Sequence, residues 1–318
     1  MDQIRRSRCA FCHGPGHLPG FFQLSGRSSN LGHLQGKAGL GPGAVLHHPP
    51  AGPDSGTAGR ENFRVIRNQF ILTPSFLDQP LSGLEELFQP GWQINQVAPA
   101  GTTLVRRIAG IQAGLASLVV EAIQAGRRPV SIAGDCCTAI GMLAGLVRTG
   151  IDPHLIWFDA HGDFNTWETT PSGFLGGMPL AMLAGLGEQT ILELLEIEPL
   201  PQERITLTDA RDLDPGEKEL VASSRITHLN DPLALLETPL PDRPLWIHFD
   251  TDVVDPTFVS AQNYPAPGGI SPEELGRVFS HLAETGKVAA VSLSSWAPGL
   301  PGVEDSRTIC LDLLALLC

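Results

Sequence analysis

HLIWFDAHGD (residues 154–163) sets an apolar run directly against Asp159, His161 and Asp163. A short run of this kind reads as a buried strand. Three ionisable groups within five residues at its end require compensation, because unpaired charge beside a core is costly and a bound cation is the usual remedy. Positions 159, 161 and 163 project to one side for as long as the chain stays extended, so two carboxylates and an imidazole converge there. The plainer reading of the same letters is an N-capping aspartate followed by a solvated loop histidine.

The plan recurs on both sides of this stretch. PVSIA ends at Ala133 and is followed by Gly134, Asp135, Cys136 and Cys137, and PLWIHFD (244–250) runs into Asp250-Thr251-Asp252 and then Asp255-Pro256. KVAAVSLSS (287–295) carries the same buried-strand signature. Amphipathic helical patterns separate these runs: residues 102–126, closed by Gly126, then 138–150, and 271–286 with Ser271 as N-cap and Pro272 at the first helical position. Strands alternating with helices predict an α/β domain with a mainly parallel sheet covered on both faces. Ligands of such sheets bind beyond the carboxyl ends of the strands, where the acidic residues collect here. Two carboxylates at 250 and 252 repel each other unless a dication lies between them, although an acidic turn is written with the same letters. Cys136 stands where a thiolate ligand would be placed, and is also a common small buried residue.

The chain has 318 residues, 42% hydrophobic and 17% charged, enough for a sizeable globular core. A net charge of −13 without a basic patch argues against nucleic-acid binding. No apolar run is long enough to span a bilayer, and the start lacks a secretory signal, so a cytoplasmic protein is expected. The six cysteines follow no disulfide framework, and free thiols are expected. Residues 1–60, rich in Gly, Pro, Ser and His, read as a flexible or extended arm, with ENFRVIRNQFIL opening the first strand of the domain that follows. Cys9-Ala10-Phe11-Cys12-His13 fits a haem-attachment pattern, but without an export signal it reads as no more than an adventitious Zn²⁺ site shared with His17.

AGDCC (133–137), DAHGD (159–163) and DTDVVDP (250–256) together resemble the three metal-bearing motifs of the arginase, agmatinase and formimidoylglutamase family, the ureohydrolases. They stand in the family's order, in a likeness that runs from about residue 62 to the C-terminus. The resemblance implies an arginase-like three-layer αβα domain over residues 61–318. It implies two divalent ions, Mn²⁺ by the oxygen-rich donor set, held by Cys136, Asp159, His161, Asp163, Asp250 and Asp252, with Asp159 and Asp250 bridging. Asp163 would also orient the activated water and accept its proton. Asn165 and Ser172 are similar to the family's contacts to a substrate carboxylate, and Asp214 and Glu217 to those serving an α-amino group; a polar turn and helix cap is the structural alternative for the latter pair. The implied activity is hydrolysis of a C–N bond in a linear guanidino or amidine compound with an amino-acid head, by a homo-oligomer, trimeric or hexameric.

Three positions depart from the family pattern. Cys136 replaces a histidine ligand, which softens one metal position and weakens it for Mn²⁺. Gly176 stands where the arginase branch has a proton-handling histidine, and Ser295 where it has a glutamate that pairs with guanidinium. The cysteine, the glycine and the string HGDFNTWETT also resemble the Nω-hydroxy-arginine amidinohydrolase branch, which keeps that glutamate. The departures motivate a second reading, a ureohydrolase-like protein that has lost catalysis and serves as a metal-binding or regulatory subunit.

Overall fold

A computed structural model describes residues 67–318; the arm read over 1–60 and the Cys9–His13 pattern lie outside the described residues. The chain enters as β1 (Arg67–Thr73), makes a small antiparallel hairpin of β2 (Ser75–Phe76) and β3 (Gln79–Pro80), and passes through β4 (Gln93–Ile94) into helix α1 (Leu104–Gln124). Then follow β5 (Arg127–Ala133), α2 (Thr138–Arg148), β6 (His154–Asp159), the short helices α3 (Pro179–Leu183) and α4 (Thr190–Leu194), and β7 (Ile205–Asp209). The remainder is α5 (Pro215–Ser223), β8 (Thr227–Leu229), β9 (Leu245–Asp250), α6 (Pro272–Glu284), β10 (Val288–Ser294) and α7 (Val303–Leu317).

Eight strands form one sheet in the order β4-β1-β5-β10-β9-β6-β7-β8, and every pairing in it is parallel. The period of two along a strand explains why the central runs are apolar throughout. On β6, Leu155 and Trp157 enter the core beneath α1–α4, whereas Ile156 and Phe158 enter the core beneath α6 and α7. In both cores each fully buried Leu, Ile or Phe contributes about 1.5–3 kcal/mol relative to leaving it in water. This is the three-layer αβα arrangement expected.

The helix ends follow local chemistry. Thr103 caps α1 by accepting from the Arg106 amide. Ser271 and Glu274 cap each other at the start of α6, whose first residue is Pro272, at the expected position. The strand over ITLTD (205–209) and the final helix were not anticipated from the sequence. Cys136, Cys137, Cys310 and Cys318 are free thiols.

Candidate functional site

The strand order β5-β10-β9-β6 decides which loop ends meet. Moving along the carboxyl edge, it sets side by side Cys136 after β5, Ser294 and Ser295 at the end of β10, Asp250 closing β9 and Asp159 closing β6. Two groups of side chains have their donor atoms close enough to hold a metal ion: Cys136, Asp159 and Asp250, and Asp159, His161 and Asp252, all donor atoms of a group lying within 4.8 Å of one another. Asp159 belongs to both groups. Asp250, expected as a second shared residue, belongs to one only, because its Oδ1 accepts from the Asp252 amide at 3.0 Å and its Oδ2 faces Cys136 Sγ at 2.8 Å. Asp252 is oriented in turn by the Ala160 amide, which donates to its Oδ1 at 3.1 Å.

The electrostatics of the cluster call for positive charge. Asp159, Asp163, Asp250 and Asp252 are all at least 93% buried. Burial, and then the neighbouring carboxylate Asp159 in each case, push Asp163 well above the usual carboxylate range and lift Asp252 to about 6; burial and then the Asp252 and Asp159 charges push Asp250 well above that range too. Asp159 is the exception: burial works to raise it, but the His161 imidazole and the Trp157 Nε1–H at 2.9 Å hold it low. Burial opposes a charged His161, yet its contacts to Asp252 at 3.1 Å and Asp159 at 3.5 Å outweigh that and push it up to about 12. Crowded, buried oxygen donors with one thiol and one imidazole make a donor set that fits divalent ions.

The extended projection of 159, 161 and 163 holds only in part. β6 stops at Asp159, and Asp163 turns into the left-handed region at φ +47°. Its carbonyl accepts from the Leu180 and Ala181 amides at 2.9 and 3.1 Å, which anchors it on α3. The Asp163 side chain lines the same pocket as both groups without belonging to either. Asn165, Ser172, Asp214 and Glu217 line it too. Glu217 is spent inside the protein: its two oxygens accept from the Phe164 amide at 2.8 Å and the Asp214 amide at 3.1 Å, and burial pushes it up to about 7. Asn165 donates to Asp214 Oδ2 at 3.0 Å and accepts from Thr169. Asp214 and Glu217 close a capping box at the start of α5, the capping role weighed for this pair, and Ser172 Oγ accepts from the Phe174 amide at 3.2 Å. Gly162 permits the close approach of Glu217, since a Cβ there would meet its Oε1 at 2.5 Å.

Several residues of the site were not anticipated. His248, fully buried in β9, stacks on Trp157 with ring centroids 3.6 Å apart, and its Nε2 lies 3.4 Å from Cys136 Sγ. Trp246 Nε1–H can only donate, and it donates to Ser292 Oγ at 3.0 Å; the same hydroxyl pairs with His248 Nδ1 at 2.9 Å. The Nε2 side of the ring faces Cys136 and Ser294, and burial pushes the imidazole down to about 3. A histidine within the otherwise apolar run LWIHF (245–249) was the available signal. Ser295, at φ +66°, donates its hydroxyl to Asp250. Phe76, Phe174 and Tyr264 form the outer wall of the pocket.

A wholly parallel αβα sheet with interlocked carboxylates at its carboxyl edge defines an α/β protein with a candidate metal-binding site at that edge. The arginase family model matches residues 94–312. The arginase of Bacillus caldovelox is 30% identical over 67% of this chain and 76% of its own length. The Nω-hydroxy-L-arginine amidinohydrolase of Streptomyces lavendulae is 30% identical over 61% of this chain and 71% of its own. The crystal structure of Bacillus cereus arginase superposes with a TM-score of 0.69 at 26% identity, covering 79% of this chain and 98% of that one. The chain belongs to the arginase family and is an enzyme of the ureohydrolase type.

Proposed function

We propose that the protein is a binuclear, metal-dependent hydrolase that cleaves a C–N bond of a linear guanidino or amidine compound. The observation that carries this reading is the pair of donor groups sharing Asp159 at the sheet edge. Cys136, Asp159 and Asp250 would hold one ion, and Asp159, His161 and Asp252 the other, with Asp163 facing both. Mn²⁺ suits the carboxylate-rich donors, and the Cys136 thiol makes its own position the softer and weaker of the two for that metal. When bound, two such ions supply the charge that acidifies a water and stabilises the developing tetrahedral centre.

The rest of the chemistry falls to the chain itself. Asp163 takes the proton of the attacking water and delivers it to the departing nitrogen, since residue 176 is a glycine and offers no side chain for the purpose. Water's oxygen bonds to the amidine carbon, the C–N bond breaks, and the proton leaves on the amine. Ser295 holds Asp250 by its hydroxyl, in place of a carboxylate that would pair with guanidinium. Ser172 and Asp214 are the contacts for an amino-acid head, and Asp214 is held in place by Asn165 and Glu217. No helix among the described residues is long and apolar enough to cross a membrane. We place the enzyme in the cytoplasm, as a homo-oligomer of the trimeric or hexameric kind its family resemblance implies, acting on a small molecule and not on nucleic acid.

The test is a metal analysis of purified protein beside a urea and hydroxyurea release assay on a panel of guanidines with added Mn²⁺. Two ions per chain and release from at least one substrate are expected. Absence of both metal and turnover defeats the reading. Full occupancy without turnover favours the regulatory alternative motivated by Cys136, Gly176 and Ser295.

A further inference from the structure

The pocket of about 190 Å³ at the sheet edge has two chemically opposite sides. Its floor is acidic, and among the described residues no lysine or arginine lines it; His161 is its one basic side chain. Its outer wall is aromatic. Phe76 comes from the β2–β3 hairpin, Phe174 from the loop before α3, and Tyr264 from the segment between β9 and α6. Phe174 is the middle ring: it stacks on Phe76 at 6.2 Å between centroids with 14° between planes, and meets Tyr264 at 5.6 Å with a 45° tilt.

Three segments distant in sequence thus place three rings at one mouth, and they stay partly in water there, Tyr264 being 42% exposed. Local sequence makes this possible. A Cβ at residue 176 would lie 2.3 Å from Phe174 Cζ, so the ring covers the space a side chain at 176 would need. Glycine at 176 and phenylalanine at 174 act together: the first vacates the volume, the second fills it with an apolar face.

We propose that this wall is a subsite for an apolar, preferably aromatic, substituent on a cationic substrate. The preferred class is an aralkyl-substituted guanidinium or amidinium, the charged end directed to the acidic floor and the ring stacked against Phe174 and Tyr264. This deepens the guanidine-hydrolase reading and rests on it for the identity of the charged end. The physical basis is twofold. Covering exposed aromatic surface is favourable, and offset or edge-on ring pairs add to area burial; a cation near the same faces gains further from the ring quadrupole.

The experiment compares methylguanidine and 2-phenylethylguanidine by calorimetric binding to the full chain with Mn²⁺ present, alongside urea release from each. The wall predicts binding of the phenylethyl compound about tenfold tighter than the methyl compound, the effect of one or two good ring contacts. Phe174→Ala and Tyr264→Ala should each shrink that ratio severalfold. Phe174→Leu, which keeps most of the volume, should retain an intermediate ratio and guards against loss of folding. Equal affinities for the two compounds in the unmodified protein overturn the proposal, and so does a ratio that survives both alanine substitutions. Urea release from neither compound, with the binding ratio intact, counts against the hydrolase reading and leaves the aromatic subsite supported.

Discussion

Arg211→Met should destabilise the protein by about 3–5 kcal/mol, the range for removing one partner of a buried, hydrogen-bonded ion pair. Arg211 is a clamp between β7 and the acidic loop after β9. Its Nη1 pairs with Asp209 and donates to the Val253 carbonyl at 3.2 Å, and its Nη2 donates to the carbonyls of Asp252 at 2.9 Å and Ala266 at 3.1 Å. Methionine keeps the length and apolar bulk but removes every donor. Asp209, only 6% exposed and already raised by burial, is left without its cation, and three carbonyls lose charged donors contributing about 1.5–3 kcal/mol net apiece before relaxation and water entry reduce the sum. Arg211 Nε has no partner among the described residues, so the clamp is not saturated, which keeps the expectation inside that range. The backbone adds to the effect. Asp209 and Ala210 both sit at positive φ, +68° and +52°, conformations costly for residues with a Cβ, and they are retained by hydrogen bonds from the Ala210 amide to the Asp159 carbonyl and from the Asp212 amide to the Ala160 carbonyl. The assay is urea denaturation of the unmodified protein, Arg211→Met, Asp209→Asn and the double variant, all in the same chelator-treated buffer. Removing Asp209 as well should recover part of the loss, giving a coupling energy of at least about 1 kcal/mol. A loss below about 1 kcal/mol for Arg211→Met, or strict additivity, refutes the clamp.

Three further outcomes are expected. Glu196 follows α4 at φ +55°, in a Schellman arrangement in which the Ile197 amide donates to the Leu192 carbonyl and the Glu196 amide to that of Glu193. Glu196→Gly should therefore stabilise by roughly 0.5–1 kcal/mol, read from the denaturation midpoint; a lower midpoint counts against a strained left-handed residue. Gly145→Ala should destabilise by about 1–3 kcal/mol, because its new Cβ would meet Val119 Cβ and Cγ1 at 2.4 Å across the α1–α2 packing; Val119→Ala in the same chain should relieve part of that loss. His154, next to Thr206, is lowered to about 4 by burial and then by the Arg243 and Arg204 charges. Its folded pKa lies below the unfolded value of about 6.5, so the unfolded chain gains the proton first as pH falls and stability drops between about 6.5 and 4. His154→Gln should flatten the stability–pH curve in that window relative to the unmodified protein, and parallel curves would contradict the assignment.

Chain-local chemistry carried much of this molecule. The alternation of buried runs with amphipathic helices predicted a doubly covered parallel sheet, because a strand with helices on both faces has no polar side to show. Ser271, Pro272 and Glu274 marked the start of α6 because capping involves neighbours within one turn. The strand-end clusters at 135–137, 159–163 and 250–252 were legible because ionisable residues directly after apolar runs conflict with burial unless something compensates them.

Tertiary structure alone decided which of those residues meet. The insertion of β10 and β9 between β5 and β6 brings Cys136 against Asp250 and Asp159, and no spacing in the chain encodes a strand order. It likewise decided that Asp159 is common to both donor groups, that Glu217 accepts from two backbone amides, and that His248 lies behind Cys136. The aromatic wall of Phe76, Phe174 and Tyr264 belongs here too. Its rings come from segments up to 188 residues apart, by subtraction of their numbers, and such contacts exist only once packing has closed the loops between them. Periodicity and capping act over a few residues, whereas a site assembled from loop ends is specified by the sheet that holds them.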